Sequence, residues 1–420
     1  MTSEIKQRIE QIRRGEVPER YVKTVLGLAP ANWKRYTFGD IYTERKEPGD
    51  ENLPLLMVSI HSGVSDGEVD AAELPKQVKR IEDKSQYKKA VSGDLVFNMM
   101  RAWQGAIGTV RTTGMVSPAY IVAEPNDKAY PLFMDYYSRT PQMINQIDRQ
   151  SYGVTDFRKR LYWDSFAPIS CTLPPIEEQQ KIAAILTTQD RVIELKEKCL
   201  AEKQRQKKYL MQQLLTGKKR LPGFNGTWEK EKLGKCASMC SGGTPDTKNE
   251  KYYGNDYIWI SIKDMTSAGK YICSSERGLT EAGLLNCSAR LFPKGTILFA
   301  MYASIGECSI AETECCSSQA ILGIEPDSKL NNEFLYYLLS NSKGYFKSFG
   351  QASSQPNLNK GIVQSIVVQI PEIEEQTAIA EVLSTADHEI DLLQQDIEQE
   401  KQKKKALMQL LLTGIVRVKT

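Results

Sequence analysis

The sequence predicts an α+β protein: two strand-rich α/β domains separated by two long helices that pair as an antiparallel coiled coil, with a pseudo-two-fold internal repeat. Three observations predict it. Pro174 to Gly217 aligns without a gap on Pro371 to Gly414 at a constant offset of 197, with 21 of 44 positions identical. Both copies carry apolar residues every seven positions, the spacing of helices that wind around each other. Ahead of each copy, short β-branched and aromatic runs punctuated by glycine and proline occur in one order, twice. A repeat of this kind has to be found before elements are assigned, because it sets the architecture.

Residues 1–28 lie outside the repeat; Ile5, Ile9 and Ile12 fall at helical spacing, and this N-terminal helical extension is read as a helix docked on the coiled coil. Residues 29–173 form the first strand-rich domain, through Trp33, LLMVSI at 55–60, SGDLVFNMMRAWQGAIG at 92–108, VSPAYIVAEPND at 116–127 and FMDYYSRT at 133–140. Residues 221–370 form the second, through Trp228, YIWISI at 257–262, KGTILFAMYASIG at 294–306, SSQAILGIEPDS at 317–328 and FLYYLLSN at 334–341.

The helical segments are 174–220 and 371–420. Each opens at a proline, places paired glutamates where the helix dipole favours them, and closes on a glycine. At ~1.5 Å per residue each is about 60 Å long. One seam runs through Leu186, Ile193, Leu200 and Leu214, the other through Leu383, Ile390, Ile397 and Leu411; Lys207 and Lys404 interrupt them at equivalent places. Ile379, Ala386, Leu393 and Leu407 form a second, partial stripe, with Ile182, Gln189, Lys196, Lys203 and Leu210 as its weaker counterpart. Neither helix has other helical sequence long enough to cover it, so each is taken as the partner of the other.

Composition narrows the function classes. Hydrophobic content of 41% and charged content of 25% suit a soluble globular chain. No apolar run approaches the roughly 18 to 20 residues of a membrane span, and the polar N-terminus is unlike a secretory signal, so a cytoplasmic protein with no membrane partner is expected. Nine scattered cysteines read as reduced thiols, and two distant histidines, His61 and His388, leave no expectation of a metal site. The net charge of +3 says little about nucleic acid. Nine basic residues stand against two acidic ones from Lys196 to Arg220, which alone reads as a solvated helix face.

A strand-rich domain, then Pro-x-Ile-Glu-Glu-Gln opening a long helix and Leu-Leu-Thr-Gly closing it, twice over, resembles the specificity subunits of type I restriction-modification systems. SGGTP at 241–245, YIWISIKDM at 257–265, GTILFAMYASIG at 295–306 and GDLVFNMMRAWQGAIG with VSPAY resemble that family's target recognition domains. The resemblance runs from about Trp33 onward. It implies that each domain reads one half of a split, asymmetric site in double-stranded DNA. It further implies that the helices fix the gap and dock two methyltransferase subunits, with restriction/translocase subunits completing the complex.

No catalytic residues are expected. The one Pro-Pro, Pro174-Pro175, is followed by Ile176 and cannot serve as an adenine methyltransferase motif; there is no phosphate-binding G-x-x-x-x-G-K-[S/T] loop, and GGTP at 242–245 lacks the lysine. No cofactor is expected on this chain. The resemblance implies S-adenosylmethionine, ATP and magnesium on the partner subunits.

Base reading needs Arg, Lys, Asn, Gln, Ser or Thr on elements that can enter a groove, and phosphate contacts need cations beside them. In the first domain the candidates are Lys79, Arg80, Lys88, Lys89, Arg101, Tyr152, Thr155, Arg158, Lys159 and Arg160. In the second they are Ser241, Thr244 and Lys248, then Ser353, Ser354, Gln355, Asn357 and Lys360 in GQASSQPNLNK. Trp103 and Tyr120 read first as core aromatics and second as base-stacking groups. Two other readings stand beside this one: the specificity chain of a two-subunit type II enzyme, and a coiled-coil scaffold that never meets DNA.

Overall fold

The prolines that open each helical repeat sit just ahead of two very long helices, Ile176–Leu214 and Ile373–Leu412. The apolar periodicity of the sequence continues through both without a helix-breaking residue. Both end alike: Gly217 and Gly414 take left-handed backbone, φ 66° and 71°, a conformation that favours glycine. The amides two residues on, Lys219 and Val416, turn back onto the carbonyls of Gln213 and Leu410 at 3.2 and 3.0 Å. A computed structural model of the chain describes residues 3–24, 27–50, 52–65, 86–153, 158–346 and 358–418. It divides into two compact units, Met1–Lys196 with Asp396–Thr420, and Glu197–Gln395. By these ranges, each unit holds the start of one long helix and the end of the other.

In the first unit, strand Lys34–Thr37 pairs antiparallel with Ser170–Leu173, the strand that leads into the first long helix. A four-stranded antiparallel sheet has the order Tyr42–Arg45, Tyr120–Pro125, Leu95–Asn98, Ile107–Thr109. Helices Pro131–Tyr137 and Pro141–Gln150 follow it. Phe38 and Phe97 each pack a tilted ring on Phe166, at centroid distances of 4.3 and 4.6 Å. They share one buried core with Phe133, Ile182, Leu186 and Leu411, so the helix ends are part of the domain's own hydrophobic interior.

The N-terminal extension differs from the expectation. Its helix is confined to Ser3–Arg13, and Tyr21–Thr24 pairs with Gly27–Pro30 as an antiparallel hairpin. Ile5, Ile9 and Ile12 are only half-buried. Arg8 donates to the Ile415 carbonyl at 3.0 Å, and the Tyr21 hydroxyl to that of Gly414 at 2.6 Å. These bonds tie the extension to the segment beyond the second long helix, where carbonyls left open past a helix end attract donors.

In the second unit, Glu229–Lys232 pairs with Val367–Ile370, again the strand that leads into a long helix. The main sheet has the order Ala237–Ser241, Ile321–Pro326, Ile297–Ala300, Cys308–Ala311, Tyr271–Ile272, with the last strand parallel to its neighbour. A second sheet orders Tyr253–Gly254, Gly278–Leu279, Tyr257–Ile260 and Cys316–Ser317. Phe299, Phe334 and Tyr337 pack with Leu214, Ile379 and Leu383 in one core.

The helix pair is antiparallel within each unit. In the first, Gln189 donates to Glu400 at 2.6 Å and Lys196 to Asp396 at 2.8 Å. In the second, Lys203 donates to Glu389 at 2.7 Å and Lys207 is paired with Asp387. Numbers rise on one helix as they fall on the other. Leu186, Ile193, Ile397 and Leu411 are buried in the first unit, Leu214, Leu383 and Ile390 in the second, and Leu200 is half-buried.

The two seam lysines have equivalent surroundings. Lys404 meets Asp190 at 2.5 Å and lies over the Tyr136 ring, while Tyr136 donates to the same carboxylate at 2.6 Å. Lys207 meets Asp387 and lies over Tyr337, which donates to Asp387 at 2.6 Å. Each apparent interruption of the stripe is one member of a Tyr–Asp–Lys set joining domain and helices.

Candidate nucleic-acid interface

Sequence repeats that are chemically specific usually do one job twice, and the Glu-Glu-Gln of each helix start does so here. The second glutamate is fully buried in each case, Glu178 at 0% and Glu375 at 2% exposure. Arg417 grips Glu178 in a two-pronged pair at 2.6 and 2.7 Å, and the Trp33 indole donates to it at 3.3 Å. Arg220 grips Glu375 at 2.6 Å on both oxygens, and Trp228 donates at 3.2 Å. Guanidinium and carboxylate match as planar forks, which makes the pairing directional as well as strong. Gln179 binds the Lys128 and Pro174 carbonyls and accepts from the Tyr130 amide; Gln376 binds those of Lys329 and Pro371 and accepts from Asn331. These sets fix each domain to its helix ends, and thereby fix where its loops stand.

Four of the sequence-predicted residues come together in the first unit. A cleft of about 540 Å³ is lined by Met100, Tyr152, Gly153, Arg158, Lys159, Arg160 and Tyr162. Tyr152 and Arg160 exchange backbone hydrogen bonds at 3.1 and 2.9 Å, and the Leu161 amide donates to the Met99 carbonyl at 2.8 Å. These bonds hold the segment against the hairpin tip that carries Met100 and Arg101. Lys159 is turned inward, donating to Asp148 at 2.9 Å and lying over the Trp103 ring at 5.5 Å. Trp103 in turn donates to the Met100 carbonyl at 3.0 Å, so it is a half-buried brace. Arg158, Arg160 and Arg101 are exposed, and their guanidinium groups meet no partner among the described residues. Tyr152 is 59% exposed and its ring lies 5.8 Å from that of Tyr162.

Lys88 and Lys89 stand elsewhere, in strand Lys88–Ala90. Lys88 is half-buried and donates to the Tyr120 carbonyl at 2.8 Å, with burial pulling its ammonium below the usual lysine range. Lys89 pairs with Glu47 at 3.0 Å. Tyr120 is half-buried at the start of its strand in the four-stranded sheet.

In the second unit, Ser241 ends a strand opposite Leu322, and the Thr244 hydroxyl accepts from the Gln319 amide at 3.3 Å. Between them Gly242 and Gly243 are pressed on the chain: a Cβ would come within 2.2 Å of the Ser317 carbonyl oxygen and of the Ala289 nitrogen respectively. The SGGTP segment therefore packs closely, and Lys248 stands exposed in the turn beyond it. Lys360 opens the short helix Lys360–Ser365, exposed beside the capping Asn359. The Leu358 amide donates to the Met301 carbonyl at 3.1 Å, as Leu161 does to Met99, so the two candidate loops enter their domains at equivalent places. Lys79, Arg80, Thr155, Ser353, Ser354, Gln355 and Asn357 lie outside the described residues.

Met100 and Tyr162 line the cleft without having been singled out. Tyr162 had a signal: Arg160, Leu161 and Tyr162 alternate out, in, out, which places tyrosine on the same side as the arginine. All nine cysteines are unpaired. Among the described residues, no group of side chains is arranged to hold a metal ion and no helix is long and apolar enough to cross a membrane.

Two strand-rich units, each clamped to one start and one end of a duplicated helix by the same Trp–Glu–Arg set, define a class of two-unit chains in which the clamps repeat and the loops differ. The sequence profile of the type I restriction modification DNA specificity domain matches residues 72–203 and again 225–402. The chain belongs to that family. The putative type I restriction enzyme MjaX specificity subunit of Methanocaldococcus jannaschii is 25% identical, covering 96% of this chain and 98% of that protein. The MjaIX specificity subunit of the same organism is 35% identical over 167 residues, a match covering 39% of each chain. Among solved structures, the HsdS subunit of Thermoanaerobacter tengcongensis covers 92% of this chain and 98% of its own, at 20% identity and a TM-score of 0.51. The S subunit of a type I restriction-modification system from M. genitalium covers 93% and 97%, at 13% identity and a TM-score of 0.56.

Proposed function

We propose that this chain is the sequence-reading subunit of a type I restriction-modification complex and has no catalytic centre of its own. Each unit reads one half of a bipartite, asymmetric site in double-stranded DNA. The long helices set the unread gap and dock two methyltransferase subunits, with restriction and translocase subunits joining them in the cytoplasm. S-adenosylmethionine, ATP and magnesium belong to those partners.

One observation carries the reading: the specificity-domain profile matches twice on one chain, once per unit. Two copies with equivalent clamps and dissimilar loops suit two unlike half-sites held at a fixed separation, since half-site spacing follows protein geometry in DNA binders. The exposed arginines and tyrosines of the first unit are the side-chain types that contact phosphates and base edges.

The test is selection from a random duplex pool by the purified complex of this chain with the methyltransferase subunit proposed to dock on it. The expected result is one enriched motif of two unlike blocks separated by a fixed stretch of unselected bases. Enrichment of a single continuous block, or of no sequence from a complex that binds duplex, contradicts the proposal.

A further inference from the structure

The solvent-facing cations of the first unit's cleft are both arginines. Its lysine is spent on Asp148 and Trp103, while Arg158 and Arg160 face solvent without a partner among the described residues, as does Arg101 beside Met100. A surface that only follows the phosphate backbone works with lysine or arginine alike, because a point charge is enough. A guanidinium differs in its rigid fork of donors, which matches two phosphate oxygens and also the O6 and N7 acceptors of guanine in the major groove, a base-edge contact at which lysine has no fork to offer.

The surroundings favour the fork over the point charge. The cleft is concave, and Met100, Tyr152 and Tyr162 line it beside the arginines. These walls are exposed in the free chain, and once a base edge covers them water is displaced, so that a correctly placed pair of hydrogen bonds counts for more and a mismatched base leaves donors unsatisfied. The backbone is held on both sides: Tyr152 and Arg160 are bonded to each other, Leu161 is bonded to Met99, and the Met100 amide donates to the Asn98 side chain at 2.9 Å. The main chain beside the arginines is thus braced at these points, and what remains to be ordered on binding is the exposed guanidinium side chains themselves.

We infer that the first unit reads guanine: Arg158, Arg160 and Arg101 supply the base-edge contacts of its half-site, which contains at least one G·C pair. The inference rests on the proposed function and adds the base class to it. Tyr152 and Tyr162 are positioning residues that wall the cleft, and Lys159 holds the segment to the domain.

The experiment uses the intact complex of this chain with its methyltransferase, and maps chain-dependent adenine methylation for the wild type and for Arg101→Gln, Arg158→Gln and Arg160→Gln. In at least one variant a G·C position in one half should become degenerate or accept A·T, with the other half and the gap unchanged. Binding to the wild-type site should fall roughly 5- to 150-fold, the range for losing one good bidentate base contact. The matching Arg→Lys variant should recover overall affinity more than base selectivity, since lysine keeps the charge but loses the fork. Responding positions that are A·T pairs or lie in both halves overturn the inference. So does an unchanged motif with affinity lowered equally for all sequences and a shallower salt dependence, the sign of phosphate contacts. Both of those results leave the proposed function standing, whereas a wild-type complex that yields no chain-dependent motif refutes both.

Discussion

Replacing Glu178 by alanine removes the centre of the first unit's clamp. The carboxylate is fully buried and receives the Arg417 fork and the Trp33 indole. Breaking a buried pair by removing one member costs about 3–5 kcal/mol, because the other charge stays behind. The Arg417 side chain keeps 33% of its exposure, so water takes up part of the loss and about 2–4 kcal/mol is expected. For a unit of about 220 residues that is a midpoint lowered by roughly 4–16 °C in calorimetry of the full chain. Glu177→Ala is the internal control: it lies in the same helical turn but is exposed, and loses only a helix-dipole contribution of about 0.3–1 kcal/mol. Equal shifts for the two variants would show that the glutamates matter only through the dipole and would refute the clamp. Arg417→Met gives a second reading. It leaves the same carboxylate buried with the Trp33 indole but without its guanidinium, and should lower the midpoint by an amount comparable to Glu178→Ala.

Further outcomes follow from the same contacts. Hydrogen bonds from Gln189, Lys196 and Lys403 hold the Glu400 carboxyl down at about 2. A depressed carboxylate adds stability above its unfolded pKa of about 4.3 and loses it as pH falls toward the folded value. The thermal midpoint should therefore drop between about pH 4.5 and 2, and Glu400→Gln should flatten that drop; an identical slope in both proteins excludes the network. Thiol labelling under native conditions should modify exposed Cys199 and Cys273 first and Cys171, Cys315 and Cys316 last, since burial also pushes the latter three up to about 12. Fast labelling of Cys171 would contradict its core position. Inserting one whole heptad at matching points of both long helices keeps the seam in register, and should lengthen the gap in the selected DNA motif while leaving both blocks unchanged. Altered blocks with the same gap would contradict the ruler.

The helices and their pairing were legible because a seven-residue period and a gapless repeat are local signals. What fills the seam was not. Lys207 and Lys404 read as interruptions because their partners, Asp387 and Asp190, are fixed by the antiparallel register. The paired glutamates read as dipole residues for the same reason: Trp33 and Arg417 reach Glu178 from far along the chain. A clue was present, since Arg220 and Arg417 keep the 197 offset three residues past the terminal glycines, beyond the stretch that was aligned. The basic run from Lys196 to Arg220 read as solvated, yet Lys196, Lys203, Lys207 and Arg220 are used in ion pairs with the opposite helix. Residue type singled out Arg158 to Arg160, which the structure brings together in the cleft of the first unit. It did not separate Lys159, turned inward onto Asp148, from its neighbours, and it gave no sign that Lys88 and Lys89 are engaged by the Tyr120 carbonyl and by Glu47.

The most direct test of the central claim is to express this chain with the methyltransferase subunit proposed to dock on it in a methylation-free host and map modified adenines across the genome by single-molecule sequencing. A single split motif with unspecified central bases, lost when this chain is omitted, is the predicted result. A stable complex that leaves no chain-dependent methylation would contradict it.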